Sequence, residues 1–161
     1  MIRTATRSDA YRVMKLYNHY VEHTTASFDL KPKPYSHFAR TIPRIAQRYA
    51  YYVDTEDKLI RGIAYAHPWK SRPGYNLTLE TTVYIHPDRL HQGIGTQLML
   101  TLIDQMRRQG YKTLIACITA DNLPSIALHE KLGFQCASHF HNVGHKFNTW
   151  LDIVDYELQL Q

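Results

Sequence analysis

Apolar and polar positions recur along the chain with two periods, and the changes of period mark out its elements. Leu79, Val83 and Ile85 are apolar, Thr81, Thr82 and Tyr84 favour strands, and Pro87 ends the run, so a strand is predicted here. Gly93-Ile94-Gly95 follows, after which Leu98, Met99, Leu102, Ile103 and Met106 recur at helical spacing. This strand, glycine turn and helix form the centre of the chain. Upstream, Ile2 to Ala5 reads as a short strand. A helix over residues 9 to 23 follows, with Ser8 as its N-cap and Ala10, Val13, Leu16, Tyr17, Tyr20 and Val21 facing inward. A second helix is expected over Ser36 to Gln47, disturbed by Pro43. Two strands, Ala50 to Asp54 and Leu59 to Ala66, flank a polar Thr55 to Lys58 turn and read as a hairpin.

Downstream, Gly110 stands where a helix-ending glycine belongs, and Thr113 to Thr119 reads as a buried strand. Asn122 caps a short helix that tolerates Pro124 in its first turn and stops at Gly133. Strands over Phe134 to His141 and Phe147 to Leu160 close the chain. The order β α α β β β α β α β β implies a three-layer α/β sandwich, its sheet antiparallel at the hairpin and parallel around the central helix. No repeat or linker interrupts it, so residues 1–161 are read as one domain.

Composition narrows the functional classes. No apolar run approaches the ~20 residues of a membrane span, and the first residues lack the apolar core of a signal peptide. Cys117 and Cys136 are too few for a zinc ribbon or a disulfide framework, and both are expected as buried free thiols. These features predict a cytoplasmic protein with no membrane partner. The formal charge of +5 invites a nucleic-acid reading, but Lys and Arg are scattered and the 12 tyrosines lack the spacing of an RNA-binding strand. A small polyanionic ligand accounts for the basic excess equally well. The ten histidines are scattered along the chain, and no metal is expected.

Three features carry candidate chemistry. The glycine turn opens a helix whose free N–H groups suit a pyrophosphate, or is an ordinary tight turn. Glu80 is a lone carboxylate among apolar and β-branched residues, either a solvated strand residue or a proton acceptor. Asn122, Ser125 and His129 share one face of a helix at about 100° per residue and can line a polar ligand. His129 is then a structural helix residue or a donor to a leaving group. The loop over Thr24 to Asp29, with its single aromatic Phe28, is a connector or a pocket wall.

The segments Val83-Tyr84-Ile85-His86-Pro87, Gly93-Ile94-Gly95 and Asp121 through Phe134 resemble the GNAT superfamily of acetyl-CoA-dependent N-acetyltransferases. Leu16 to His19, Thr78-Leu79-Glu80 and Gly144 to Asp152 extend that resemblance over nearly the whole chain, and toward the phosphinothricin and methionine sulfoximine acetyltransferase group. The resemblance implies a GNAT-type sandwich with a mixed, mostly antiparallel sheet flanked by helices. It implies acetyl-CoA as cosubstrate. The backbones of Val83, Tyr84 and Ile85 would pair with the pantetheine arm, and His91, Gln92, Gly93, Ile94, Gly95 and Thr96 would cradle the pyrophosphate. Asn122, Ser125 and Lys131 would lie along the cofactor. Glu80 would serve as general base and His129 as the group at the leaving thiolate. Lys70, Ser71 and Arg72, with Phe28 and Tyr75, would contact a small amine substrate, Arg72 would hold its acid group, and Trp69 would join Phe28 and Tyr75 in an aromatic loop beside it. It further implies a homodimer. Two departures stand out: Leu90 occupies a position where the superfamily carries Gln or Arg, and Asn76 one where relatives carry Arg. The first bears on cofactor affinity and the second leaves the exact amino-acid substrate open; a protein N-terminus or a polyamine is the competing acceptor. A CoA sensor without turnover is the reading outside the enzymes.

Overall fold

The computed structural model describes residues 1–161. Its centre is a seven-stranded sheet in the order β1-β2-β3-β4-β5-β7-β6. The strands are β1 (Ile2–Thr4), β2 (Ala50–Glu56), β3 (Leu59–Pro68), β4 (Thr78–Ile85), β5 (Thr113–Thr119), β6 (Gln135–Lys146) and β7 (Thr149–Gln159). The helices are α1 (Ala10–His23), α2 (Tyr35–Arg48), α3 (Ile94–Arg108) and α4 (Leu123–Lys131). Only β4 and β5 run parallel; every other neighbouring pair is antiparallel. The sheet is thus mixed and mostly antiparallel, as the resemblance implies.

Each face of the sheet carries its own core. Val13 and Leu16 of α1 and Phe38 and Ile42 of α2 pack with Tyr51, Val53, Ile60 and Ile63 of the β2–β3 hairpin. Leu98, Met99, Leu102 and Met106 of α3 pack on the other face, against Leu79, Leu114, Ala116 and Val154. The apolar stripe of α3 is the one its sequence spacing predicts. Burying each such side chain contributes about 1.5–3 kcal/mol, which ties the central helix to the sheet. Gly62 of β3 lets α3 approach, since a Cβ there would lie 2.9 Å from a methyl of Leu98 and 2.8 Å from one of Ile85.

Several local expectations need correction. The start of α1 is not capped by Ser8. A short 3-10 turn, Arg7–Asp9, precedes the helix, and the buried Asp9 carboxylate accepts from the Thr6 N–H at 2.9 Å and pairs with Arg3 and Arg12. Pro43 lies inside α2 without ending it. The β2–β3 turn shrinks to Asp57-Lys58, both at positive φ (47° and 69°), the form that suits the twist of a tight hairpin. β6 continues to Lys146, past the predicted end at His141. Neither cysteine is buried: both thiols are exposed, Cys117 because β5 faces an open cleft at that point.

Candidate acetyl-transfer site

Strands β4 and β5 begin as a parallel pair and then part. Their ladder covers only Thr78, Glu80 and the residue between them, opposite Thr113 to Ile115. Beyond Glu80, β4 keeps its pairing with β3 as far as Ile85, but its other edge has no partner strand. N–H and C=O groups along that edge are therefore free to meet a ligand as an added half-strand would. Tyr20 of α1 donates its hydroxyl to the Ile85 carbonyl and so braces the far end of the free segment.

The parting opens a cleft of about 350 Å³. Thr81 to Ile85 line one wall, and Ala116 to Thr119 the other. The residues from Arg89 to Thr96 form its mouth, and Asn122, Pro124, Ser125, Leu128 and His129 form its far side. This volume lies within the range of small-molecule sites, about 300–1,000 Å³. The structure thus gathers Val83, Tyr84, Ile85, His91, Gln92, Gly93, Ile94, Gly95, Thr96, Asn122, Ser125 and His129 around one space. Glu80 and Lys131 are the exceptions: neither is part of the lining, Glu80 standing one residue before Thr81 on β4 and Lys131 exposed at the end of α4.

The mouth is built to receive an anion. Gly93 has φ +76°, a left-handed conformation that costs a side chain about 1–2 kcal/mol, and it starts α3 without any side-chain cap. The first helical bond runs from the Gln97 N–H to the Gly93 carbonyl, 3.0 Å. The preceding amides are left pointing outward at the positive end of the helix dipole. Arg89 lines the same mouth, next to Leu90, and supplies a cation there. A pyrophosphate with a thioester arm fits these features: amides and a cation at the mouth, a free strand edge inside.

Glu80 stands at the closed end of the split, on the sheet face opposite α3. His67 is its register partner on β3, and His67 Nε2 lies 3.3 Å from Glu80 Oε2. Burial raises the Glu80 pKa, His67 opposes that, and Asp155 adds to it. Cys117, which lines the cleft, shares this face. Its thiol is pushed up to about 12 by desolvation and by the Asp155 and Glu80 carboxylates, which rules it out as a ready nucleophile. Above Glu80, Tyr65, Tyr84, Tyr17 and Tyr51 form a layer of phenols whose pKa values burial raises. The Tyr17 hydroxyl donates to Asp29 at 2.6 Å and Tyr51 stacks on Tyr65 at 4.6 Å, so the layer is fixed and neutral.

His129 is 3% exposed, and its Nδ1 lies 2.7 Å from the Ser125 carbonyl. A carbonyl only accepts, so Nδ1 carries the proton. Burial lowers the pKa of the ring, which keeps it neutral and leaves Nε2 with a lone pair alone. In that state it cannot hand a proton to a leaving thiolate. Its ring also packs edge-on against Phe134 at 5.0 Å, which anchors α4 to the start of β6. Asn122 caps α4 by accepting from the Ser125 N–H at 3.3 Å.

Lys70, Ser71, Arg72 and Tyr75 line a separate shallow depression. Trp69 and Tyr75 meet edge-on at 5.4 Å, and Lys70 Nζ lies 4.3 Å above the Trp69 ring. Phe28 does not join them. It packs against Gly144 of β6, where a Cβ could not be accommodated, and the Lys146 ammonium donates to the Ser27 carbonyl beside it at 2.6 Å. The three aromatics expected around the substrate thus fall into two groups, Trp69 with Tyr75 and Phe28 with Gly144. Sequence reasoning also missed His67, Arg89, Tyr20 and Asp155. Of these, only His67 left a signal, because pairing the predicted hairpin with the central strand sets it near Glu80.

The model of the acetyltransferase (GNAT) domain matches residues 2–154. The chain belongs to the GNAT acetyltransferases. It is 36% identical over 152 residues to phosphinothricin N-acetyltransferase of Streptomyces viridochromogenes, covering 94% of this chain and 83% of the relative. It is also 36% identical over 160 residues to the L-methionine sulfoximine/L-methionine sulfone acetyltransferase of Salmonella typhimurium, covering 99% and 94%. Among solved structures, an acetyltransferase of Salmonella typhimurium described with its cofactor acetyl-CoA superposes with a TM-score of 0.96 at 34% identity, covering 100% and 94%. This GNAT enzyme is therefore an acetyl-CoA-dependent N-acetyltransferase, and its split sheet and helix-start amides are the parts of the chain that suit the cosubstrate.

Proposed function

We propose that this GNAT enzyme acetylates the amino group of a small amino acid or analogue of the phosphinothricin or methionine sulfoximine type, with Glu80 as general base. The observation that carries this is the placement of Glu80. It sits where β4 loses its β5 partner, with a raised pKa and beside a thiol that lines the cleft. The two curated relatives supply the acceptor class.

Acetyl-CoA supplies an activated acyl group as a thioester. An alkyl ammonium does not attack a thioester until it loses a proton, and Glu80 accepts that proton directly or through one water. Its raised pKa brings it nearer to the operating pH, where a base is most effective. Free N–H groups on the edge of β4 face the oxygen on which negative charge grows. The second proton that leaves the nitrogen as the amide forms ends on the released thiol, so the count balances without a proton from His129. Arg72, exposed and without an acidic partner, pairs with the acid group of the acceptor.

The same reading takes the enzyme as a cytoplasmic homodimer. Two free, exposed cysteines suit a reducing compartment. The test is thiol release from acetyl-CoA against amino acids, sulfoximines, phosphinates, polyamines and peptides. Amino acids or their analogues should dominate, and Arg72→Ala should raise their KM at least about 10-fold, as loss of a charged hydrogen bond does, with the acetyl-CoA KM unmoved. Best turnover on polyamines or peptides, or equal effects on both KM values, would overturn it.

A further inference from the structure

The β6–β7 hairpin contains a feature that acetyl transfer does not use. After a first irregularity at Ala137 its ladder is regular from Ser138 to Phe140, and Phe140 lies opposite Ile153. The next pair is Gly144 with Leu151, so His141, Asn142 and Val143 bulge out opposite Asp152 alone. Asn142 turns to φ +52° to close the bulge. The bulge swings His141 onto the side of His139. Their rings stack with centroids 4.4 Å apart, and both reach the same atom. His139 Nε2 lies 2.8 Å, and His141 Nδ1 3.1 Å, from Asp152 Oδ2. The second carboxylate oxygen accepts from the Asn142 N–H at 2.8 Å, which fixes the carboxylate's orientation.

We propose that His139, His141 and Asp152 bind a divalent transition-metal ion of the zinc class. One ligand atom from each residue lies within 4.8 Å of the others, and all three side chains are open to solvent at an approachable surface. Two imidazole nitrogens and one carboxylate oxygen are a borderline donor set that suits Zn²⁺, Co²⁺ or Ni²⁺ rather than Mg²⁺ or Ca²⁺. Zinc bonds of about 2.0–2.2 Å need donors about 3–3.5 Å apart, close to the separations already present. Binding requires each metal-facing ring nitrogen to offer its lone pair, with any proton there leaving or moving to the ring's other nitrogen. Water completes the coordination. The Asn142 amide behind Asp152 acts as the supporting contact that metal carboxylates usually have.

The ion would clamp β6 to β7 across the bulge. Gly144, which receives Phe28, is the next residue after it, so the clamp lies beside the Ser27-Phe28 segment. It is independent of the acyl-transfer reading, because none of the three side chains lines the cleft.

The test is calorimetric titration of chelator-treated, folded enzyme with Zn²⁺. One ion should bind per chain with micromolar affinity, and Co²⁺ should give visible absorption bands of a low-symmetry site. Zn²⁺ should also slow amide exchange at Asn142 to Gly144. The double variant His139→Gln, His141→Gln keeps both exposed side chains polar and leaves Asp152 bonded to the Asn142 amide. It should weaken Zn²⁺ by more than about 100-fold, beyond the 10- to 100-fold typical for groups behind a ligand. Its acetyl transfer without metal should match wild type. Two results would overturn the proposal: wild-type binding no tighter than millimolar, or binding that survives in the double variant. The second would place the ion on another histidine, such as His67 or His86.

Discussion

Glu80 shares its sheet face with Tyr65, Tyr84, Cys117 and Asp155, and burial raises its pKa. A carboxyl whose folded pKa is raised binds its proton more tightly folded than unfolded. Its contribution to stability is fully present below the unfolded pKa and is lost as pH rises through the folded one. The ionised base therefore costs stability at neutral pH, as groups placed for chemistry often do. Glu80→Gln should melt at or above the wild-type temperature at pH 7, and the gap should close toward pH 4. A variant that melts lower at pH 7 would show that the His67 contact outweighs burial. His129 illustrates the opposite case. Sequence position on the polar face of α4 left its role open, whereas the Ser125 carbonyl at its Nδ1 and its near-complete burial fix its ring and its tautomer.

The start of α3 concentrates the anion-binding geometry in one turn. Gly93 has φ +76°, and a Cβ there would meet nothing within 4 Å. Gly93→Val should therefore fold, with a loss of about 1–2 kcal/mol for the left-handed backbone, or a few degrees in Tm. Acetyl-CoA affinity should fall at least about 10-fold, since the β-branched side chain enters the space of the pyrophosphate. Unchanged binding by calorimetry would move the cradle elsewhere. Gly95→Val is a poorer probe, because its Cβ would press on Leu128 at 3.2 Å. Elements with a strong period were legible from sequence: α3, the β2–β3 hairpin and β4 with its glycine turn. The cleft's lining was legible for the same reason, since it lies on contiguous stretches. What was not legible depends on register between distant segments. The contact of Phe28 with Gly144, the pairing of His67 with Glu80 and the His139–His141–Asp152 cluster all arise from strand pairing, and the last needs a bulge that no period announces. Cys117 was misplaced because an apolar strand normally has a partner on both edges, and β5 is open where β4 leaves it.

At the scale of the molecule, the tip of the β6–β7 hairpin exposes Phe147 and Trp150, each more than half accessible. Exposed aromatic side chains of this kind are often covered by a partner. The proposed homodimer predicts a mass near twice 18.8 kDa by light scattering. Phe147→Lys with Trp150→Lys should shift it to the monomer; a monomeric wild type would remove the dimer from the account. In the proposed reaction the two halves of the chain divide the work. The β5–α4 half, the start of α3 and the free edge of β4 would hold the cosubstrate, and Glu80 would act as the base at the point where the strands part. The direct test of that division is the pH–rate profile of wild type and Glu80→Gln on the best acceptor. Acetyl-CoA should bind both alike, and the variant's kcat/KM at pH 7 should be about 10²- to 10⁴-fold lower, the scale of losing a general base. The deficit should shrink as pH rises, because more of the acceptor amine arrives already deprotonated. A wild-type rate at pH 7, or a deficit constant across the whole pH range, would contradict Glu80 as the proton acceptor.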